Sequence, residues 1–279
     1  MLLHGALFGV MSSPALVTAS RLFGLDVIAP ERPGYGMTAL PDGVDPVDLA
    51  VARARDTLRA ADVVRALVVA HDVGTAYAYA FALARAAPDC VSAIICAPAT
   101  PPVTDWAQTA DMPPLHHVSA FVTQKAPAMM EAIVKLGVNR VTREGLRALP
   151  QMIFADSAHD RGVLQQLAAY PVLENLFLSV TDQQGAGFLN DLFVTNLNWS
   201  GWLRDIVCPM RFQHGAKSQT VSRAAAERTC TALPDARLMV VPDAGHTLPL
   251  THPELAFREA LLMAAQSTGR IPLDDTRSG

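Results

Sequence analysis

Ala66-Leu67-Val68-Val69-Ala70-His71-Asp72-Val73-Gly74 is a continuous apolar run that passes directly into an Ala-rich helical pattern. A run apolar at successive positions reads as a strand buried on both faces, the habit of a parallel sheet. The small residues Ala70 and Gly74 stand two positions on either side of Asp72. That is the spacing of a strand-to-helix turn so sharp that only small neighbours avoid a clash, a turn that pushes its central side chain outward. Asp72 then sits at the head of a helix, where the helix dipole and free N–H groups favour an anion. The plainer reading of the same residues is an Asp N-cap.

Outward from this stretch, short Val- and Ile-rich runs alternate with helical patterns, the signature of a mainly parallel sheet with crossover helices. Strands are expected at Met1–Leu3, Leu25–Ala29, Ala66–Ala70, Val91–Cys96, Met210–Gln213 and Arg237–Val241. Helices are expected at Ser13–Phe23, Val47–Ala60, Val73–Ala87, Ser222–Leu233 and Pro253–Ala265. Between residues 101 and 204 the rhythm turns helical, with Ala126–Val138, Thr142–Phe154 and Arg161–Ala169 as amphipathic stretches. An insertion of that size is expected to lie as a cap over the strand ends, where open α/β sheets bind ligands. The expected division is a core of residues 1–100 and 205–270, a cap of residues 101–204, and a frayed polar tail of residues 271–279.

Composition narrows the partners. Of the 279 residues 51% are hydrophobic and 17% charged, enough apolar material for a large core and too much for a disordered chain. A net charge of −4 leaves no basic field for phosphates, so no nucleic acid is expected to bind this chain alone. Every apolar stretch falls short of the ~18 residues a membrane span requires, and the opening Met1–Gly5 lacks the basic start and apolar run of a signal peptide. The four cysteines show neither metal-pair nor disulfide-scaffold spacing and read as free thiols in a cytoplasmic setting. His116-His117 is a poor metal pair because adjacent side chains diverge, and no metal or cofactor is expected.

Two further pieces share the sheet edge with Asp72. Leu2-Leu3-His4-Gly5-Ala6 ends the first strand in a loop that can turn a backbone N–H toward the elbow. Val240-Val241-Pro242-Asp243-Ala244-Gly245-His246 places a histidine just beyond the last strand, and parallel strand ends open on one edge. With His4-Gly5, Arg32-Pro33-Gly34-Tyr35-Gly36, the elbow and Asp243-Ala244-Gly245-His246 in this order, the sequence resembles the α/β-hydrolase superfamily along nearly its whole length. Asp at the elbow is similar to the epoxide hydrolase and haloalkane dehalogenase branch; serine esterases carry Ser there. The resemblance implies Asp72 as nucleophile, His246 as base, and the backbone N–H groups of Ala6 and Val73 as oxyanion hole. It further implies a small apolar substrate, an epoxide before an alkyl halide because Val73 stands where a tryptophan often helps cradle halide. Tyr170 is then the donor to the leaving oxygen.

The departures are as informative. The acid that orients the family's histidine commonly follows the strand matching Met210–Gln213, and that position holds Ser218 in Gly215-Ala216-Lys217-Ser218. Ala97-Pro98-Ala99-Thr100 offers no acid after the preceding strand, leaving Asp105 as the nearest carboxylate downstream. The chain also resembles hydrolase-like modules fused to bacterial DNA-binding regulators, which implies a second reading as a ligand-sensing or interaction domain without turnover. In the family the His-Gly strand is the third, preceded by an antiparallel hairpin, and His4 leaves no residues for those two strands. The edge so exposed at Leu25–Ala29 is expected to drive homodimerisation, to be covered by an upstream segment, or to limit solubility.

Overall fold

The computed structural model describes residues 1–3, 14–83, 91–102, 112–166 and 170–267, the side chains of 14–16, 115, 170 and 267 excepted. Strands β1 (Leu2–Leu3), β2 (Ala66–Asp72), β3 (Val91–Ala99), β4 (Met210–Gly215) and β5 (Ala236–Val241) pair in parallel in the order β1-β2-β3-β4-β5. Pleating sends alternate side chains to opposite faces. Val68, Ala70, Ile94 and Cys96 therefore enter one apolar layer with α2 (Pro46–Ala60) and α3 (Gly74–Leu83). Val69, Ala93 and Ile95 enter the other, with α1 (Pro14–Leu22) and α12 (Pro253–Ser267). Buried on every side from Gly74 to Tyr79, α3 is apolar all round, as a helix enclosed by its neighbours must be.

Between β3 and β4 the chain forms α4 (Pro114–Lys125), α5 (Pro127–Glu144), α6 (Leu149–Ile153), α7 (Ala158–Leu164), α8 (Tyr170–Thr181) and α9 (Ala186–Thr195). These pack around an apolar cluster of their own that includes Met130, Val134, Val141, Leu149 and Leu176. Helix α10 (Arg223–Thr231) follows β4, and α11 (Leu248–Thr251) follows β5.

Several expected elements need correction. Leu25–Ala29 is not a strand: it runs beside β1 as irregular chain, with the bond from Leu2 N–H to Ile28 O at 2.8 Å. The expected helix Thr142–Phe154 is interrupted at Gly145, whose φ of 73° closes α5 before a short 3-10 turn leads into α6. Arg161–Ala169 begins earlier, at Ala158, because Ser157 caps the helix by accepting from the Asp160 N–H. The end of Val73–Ala87 and the tail 271–279 lie outside the described residues.

A buried ionic joint fixes the inserted helices to the core. Both terminal guanidinium nitrogens of Arg32, Nη1 and Nη2, donate to Asp191 on α9, with Nη2 to Oδ2 at 2.7 Å. Tyr35 and Tyr77 donate to the same carboxylate at 2.5 and 3.0 Å. Burial opposes the Arg32 charge, but Asp191 outweighs it and raises the guanidinium pKa. Beside this joint the backbones of Gly34 and Gly187 touch, with Gly187 N–H donating to Gly34 O at 3.0 Å. A Cβ on Gly34, whose φ is +85°, would overlap the Gly187 backbone. Gly34→Ala is therefore expected to cost about 2 kcal/mol or more in urea unfolding, from overpacking and left-handed strain together; an unchanged midpoint would show that the joint can shift.

Candidate active site

Four segments converge at the carboxyl edge of the sheet. Strand β2 ends on Asp72, which has a φ of 53°, a left-handed value that a non-glycine residue holds only when its surroundings impose it. The strand-to-helix elbow read from Ala70 and Gly74 is thus present. Asp72 is in register with Ala99 of β3, so the next residue, Thr100, donates its hydroxyl to Asp72 Oδ1 at 2.7 Å. His246, in the loop after β5, brings Nε2 to 3.8 Å from the same oxygen. The inserted helices supply Phe154, whose ring centroid lies 6.0 Å from that of His246.

Exposure separates the two principal groups. The His246 side chain is 3% exposed and that of Asp72 is 20%, so the carboxylate faces open space while the imidazole stands behind it. That space is a cavity of about 510 Å³ between the strand ends and the inserted helices. Asp72, Thr100, His116 and His246 line it, and Met130, Ile133 and other apolar side chains of α5, α6, α8 and α9 form much of the rest.

His246 Nδ1 is buried without a hydrogen-bond partner among the described residues. Ser218 does not serve it: the Ser218 hydroxyl accepts from Val221 N–H at 3.4 Å. The turn carrying Ser218 docks on the loop before His246, Lys217 N–H donating to Ala244 O at 2.9 Å. Asp160, fully buried on α7, lies against that loop from the other side. Its Oδ1 accepts from Thr247 N–H and Thr247 Oγ1, both at 2.8 Å, and its Oδ2 accepts from Ser157 Oγ at 2.6 Å. Burial raises the Asp160 carboxyl, but these donors and the nearby His246 together hold it below the usual carboxylate value.

The alpha/beta hydrolase family model matches residues 1–260. The chain belongs to the alpha/beta hydrolase family. A bromoperoxidase from Bacillus anthracis superposes with a TM-score of 0.71 at 20% identity, over 94% of this chain and 89% of that one. An epoxide hydrolase superposes with a TM-score of 0.67 at 19% identity, over 95% and 90% respectively. At such identities the likeness is one of fold. A pimeloyl-[acyl-carrier protein] methyl ester esterase from Aromatoleum aromaticum is 41% identical over 61 residues, 22% of this chain and 24% of that protein.

For a hydrolase of this family, the sequence reading placed Asp72, Val73 and His246 at the sheet edge, and all three are there. Ala6 and Asp105 lie outside the described residues, as does the side chain of Tyr170, whose backbone opens α8. Thr100, Phe154 and Asp160 were not anticipated. A position next to the end of β3 could have pointed to Thr100, since parallel strands finish side by side. The Ser157-x-x-Asp160 spacing marks a helix start and nothing more. Tyr77 and Tyr79 are buried, Tyr77 in the ionic joint and Tyr79 beside Cys96 and Trp199. Cys96 is buried and free, while Cys208 and Cys230 are free and half-buried. Among the described residues no group of three or more His, Cys, Asp or Glu is arranged to hold a metal, and no helix is long and apolar enough to cross a membrane.

Two buried histidines give the site a pH signature. Burial, reinforced by His246, lowers His71 and His214 from 6.5 to about 4. Both are neutral in the folded protein where the unfolded chain would already bind protons. The stability they support is complete above about pH 6.5 and is lost as the pH falls toward 4, because the unfolded state then binds more protons. The urea midpoint is expected to drop between about pH 7.5 and about pH 4.5, and His71→Gln should reduce the drop. A midpoint independent of pH would contradict the assignment.

Proposed function

We propose that the chain is a hydrolase acting on a small apolar molecule, with an epoxide as electrophile, through a covalent ester on Asp72. The observation that carries this reading is a carboxylate held at a strained elbow, open to an apolar cavity, with an imidazole nitrogen 3.8 Å away. A carboxylate needs no base to become a nucleophile, since its ordinary pKa of ~3.9 leaves it ionised at neutral pH. Asp72 attacks a saturated ring carbon, the carbon–oxygen bond breaks, and the alkoxide takes a proton from a donor on the inserted helices, Tyr170 by sequence resemblance. His246 then removes a proton from water, whose oxygen attacks the ester carbonyl, while the N–H groups of Ala6 and Val73 receive the oxyanion.

Intact-mass measurement after incubation with epoxides, haloalkanes and aryl esters tests this reading. The expected result is an adduct on Asp72 with an epoxide. That His246 Nδ1 has no hydrogen-bond partner among the described residues favours the second reading, a ligand-binding module without turnover. That reading gains if a ligand raises the melting temperature by mass action while neither adduct nor product forms.

A further inference from the structure

The groups near His246 come from several elements at the sheet edge. His71 and Asp72 belong to β2, His214 to β4, His116 to α4, and Phe154 follows α6. Of the acids among these surroundings, Asp72 is the proposed nucleophile, and Asp160 has no part in the chemistry described so far. Asp160 is also unlike an ordinary helix-capping aspartate. It is fully buried, and both its oxygens are taken by Ser157 and Thr247, the residue immediately after His246. Gly245, immediately before His246, has room for Asp160 only because it lacks a side chain: a Cβ there would overlap Oδ1. The carboxylate therefore holds the residue after the histidine by hydrogen bonds and packs against the residue before it.

We propose that Asp160, carried by α7 of the inserted helices, is the acidic positioning residue of His246, in place of the acid that Ser218 does not supply. The inference rests on the proposed Asp72 ester only for its kinetic consequence. A fixed negative charge beside the histidine stabilises the cation formed when His246 takes a proton from water. That proton passes on to the departing alkoxide as the ester carbonyl collapses, and Asp72 returns as a carboxylate by releasing the proton of the added hydroxyl, which restores the donor that protonated the first alkoxide. Alkylation of Asp72 transfers no proton to His246, so Asp160 bears on ester breakdown and not on ester formation. Because Asp160 arrives on the insertion, the base is complete only when these helices are docked on the sheet.

Two measurements test it independently. The first is a carboxyl-carbon NMR titration of Asp160 in the wild type and in His246→Gln. The midpoint is expected to move upward in His246→Gln, since the histidine is one of the groups holding it down. An unmoved midpoint overturns the pairing whether or not an ester exists. The second is rapid-quench mass spectrometry with a reactive aryl epoxide. Asp160→Asn can keep the contacts of Oδ1 and turn its amide toward Ser157 Oγ, so it should fold. Ester breakdown is expected to slow by about 100-fold, formation to change less than about threefold, and Asp160→Asn/Ser218→Asp to recover breakdown. Formation and breakdown slowed alike would mean a merely structural Asp160 and would overturn the proposal. Absence of any ester with an upward-moved Asp160 midpoint would instead refute the Asp72 reading and leave the pairing standing.

Discussion

Asp72→Asn is expected to abolish the covalent adduct and to lower epoxide turnover by at least ~10⁴-fold, the scale seen when a residue of a cooperating catalytic set is removed. The substitution is nearly isosteric, so its effect reads chemistry and not folding. Asn tolerates left-handed φ better than most residues, and its carbonyl oxygen can still accept from the Thr100 hydroxyl. What disappears is the anionic oxygen that must bond to carbon. His246→Gln should behave differently: alkylation continues, since Asp72 needs no activation, and the ester accumulates because no base delivers water. Time-resolved intact mass distinguishes these outcomes. Undiminished turnover in Asp72→Asn would remove Asp72 from the chemistry.

The largest expected loss of stability comes from breaking the joint between the insertion and the core. The Arg32 and Asp191 side chains are 2% and 0% exposed, and Asp191 accepts from Arg32, Tyr35 and Tyr77. Asp191→Ala removes the carboxylate that a buried guanidinium and two buried phenols share. Such a break costs about 3–5 kcal/mol, most of it the penalty of an uncompensated charge. Replacing both partners, as in Arg32→Met/Asp191→Leu, removes the stranded charge and should regain most of the loss. Urea unfolding of the single and double variants checks both statements. A single variant within about 1 kcal/mol of the wild type would mean that water reaches Arg32.

What the sequence made legible follows from which forces are local. Strands β2 and β3 are short apolar runs buried on both faces, and their sequences alone say so. The elbow was readable because its geometry demands small residues at Ala70 and Gly74. Leu25–Ala29 has strand composition, but composition reports burial and not a completed hydrogen-bond ladder. The inserted helices were the hardest to delimit, since α4 and α5 begin on Pro114 and Pro127, which read equally as breaks and as helix starts. The Arg32–Asp191 joint spans 159 residues of sequence, and no periodicity announces such a pairing. Asp160 stands three residues after Ser157, the cap of α7, and nothing in the sequence singles it out. Only the fold brings it against Gly245 and Thr247.

The central claim is that a bond forms between Asp72 and substrate carbon, and oxygen isotope transfer reads that bond directly. With protein in excess over an epoxide in ¹⁸O-labelled water, water attacks the ester carbonyl and not the substrate. The label is expected in the carboxylate of the Asp72 peptide, while the first diol formed carries the former carboxylate oxygen and no label. Label in the diol with none in Asp72 would contradict the account.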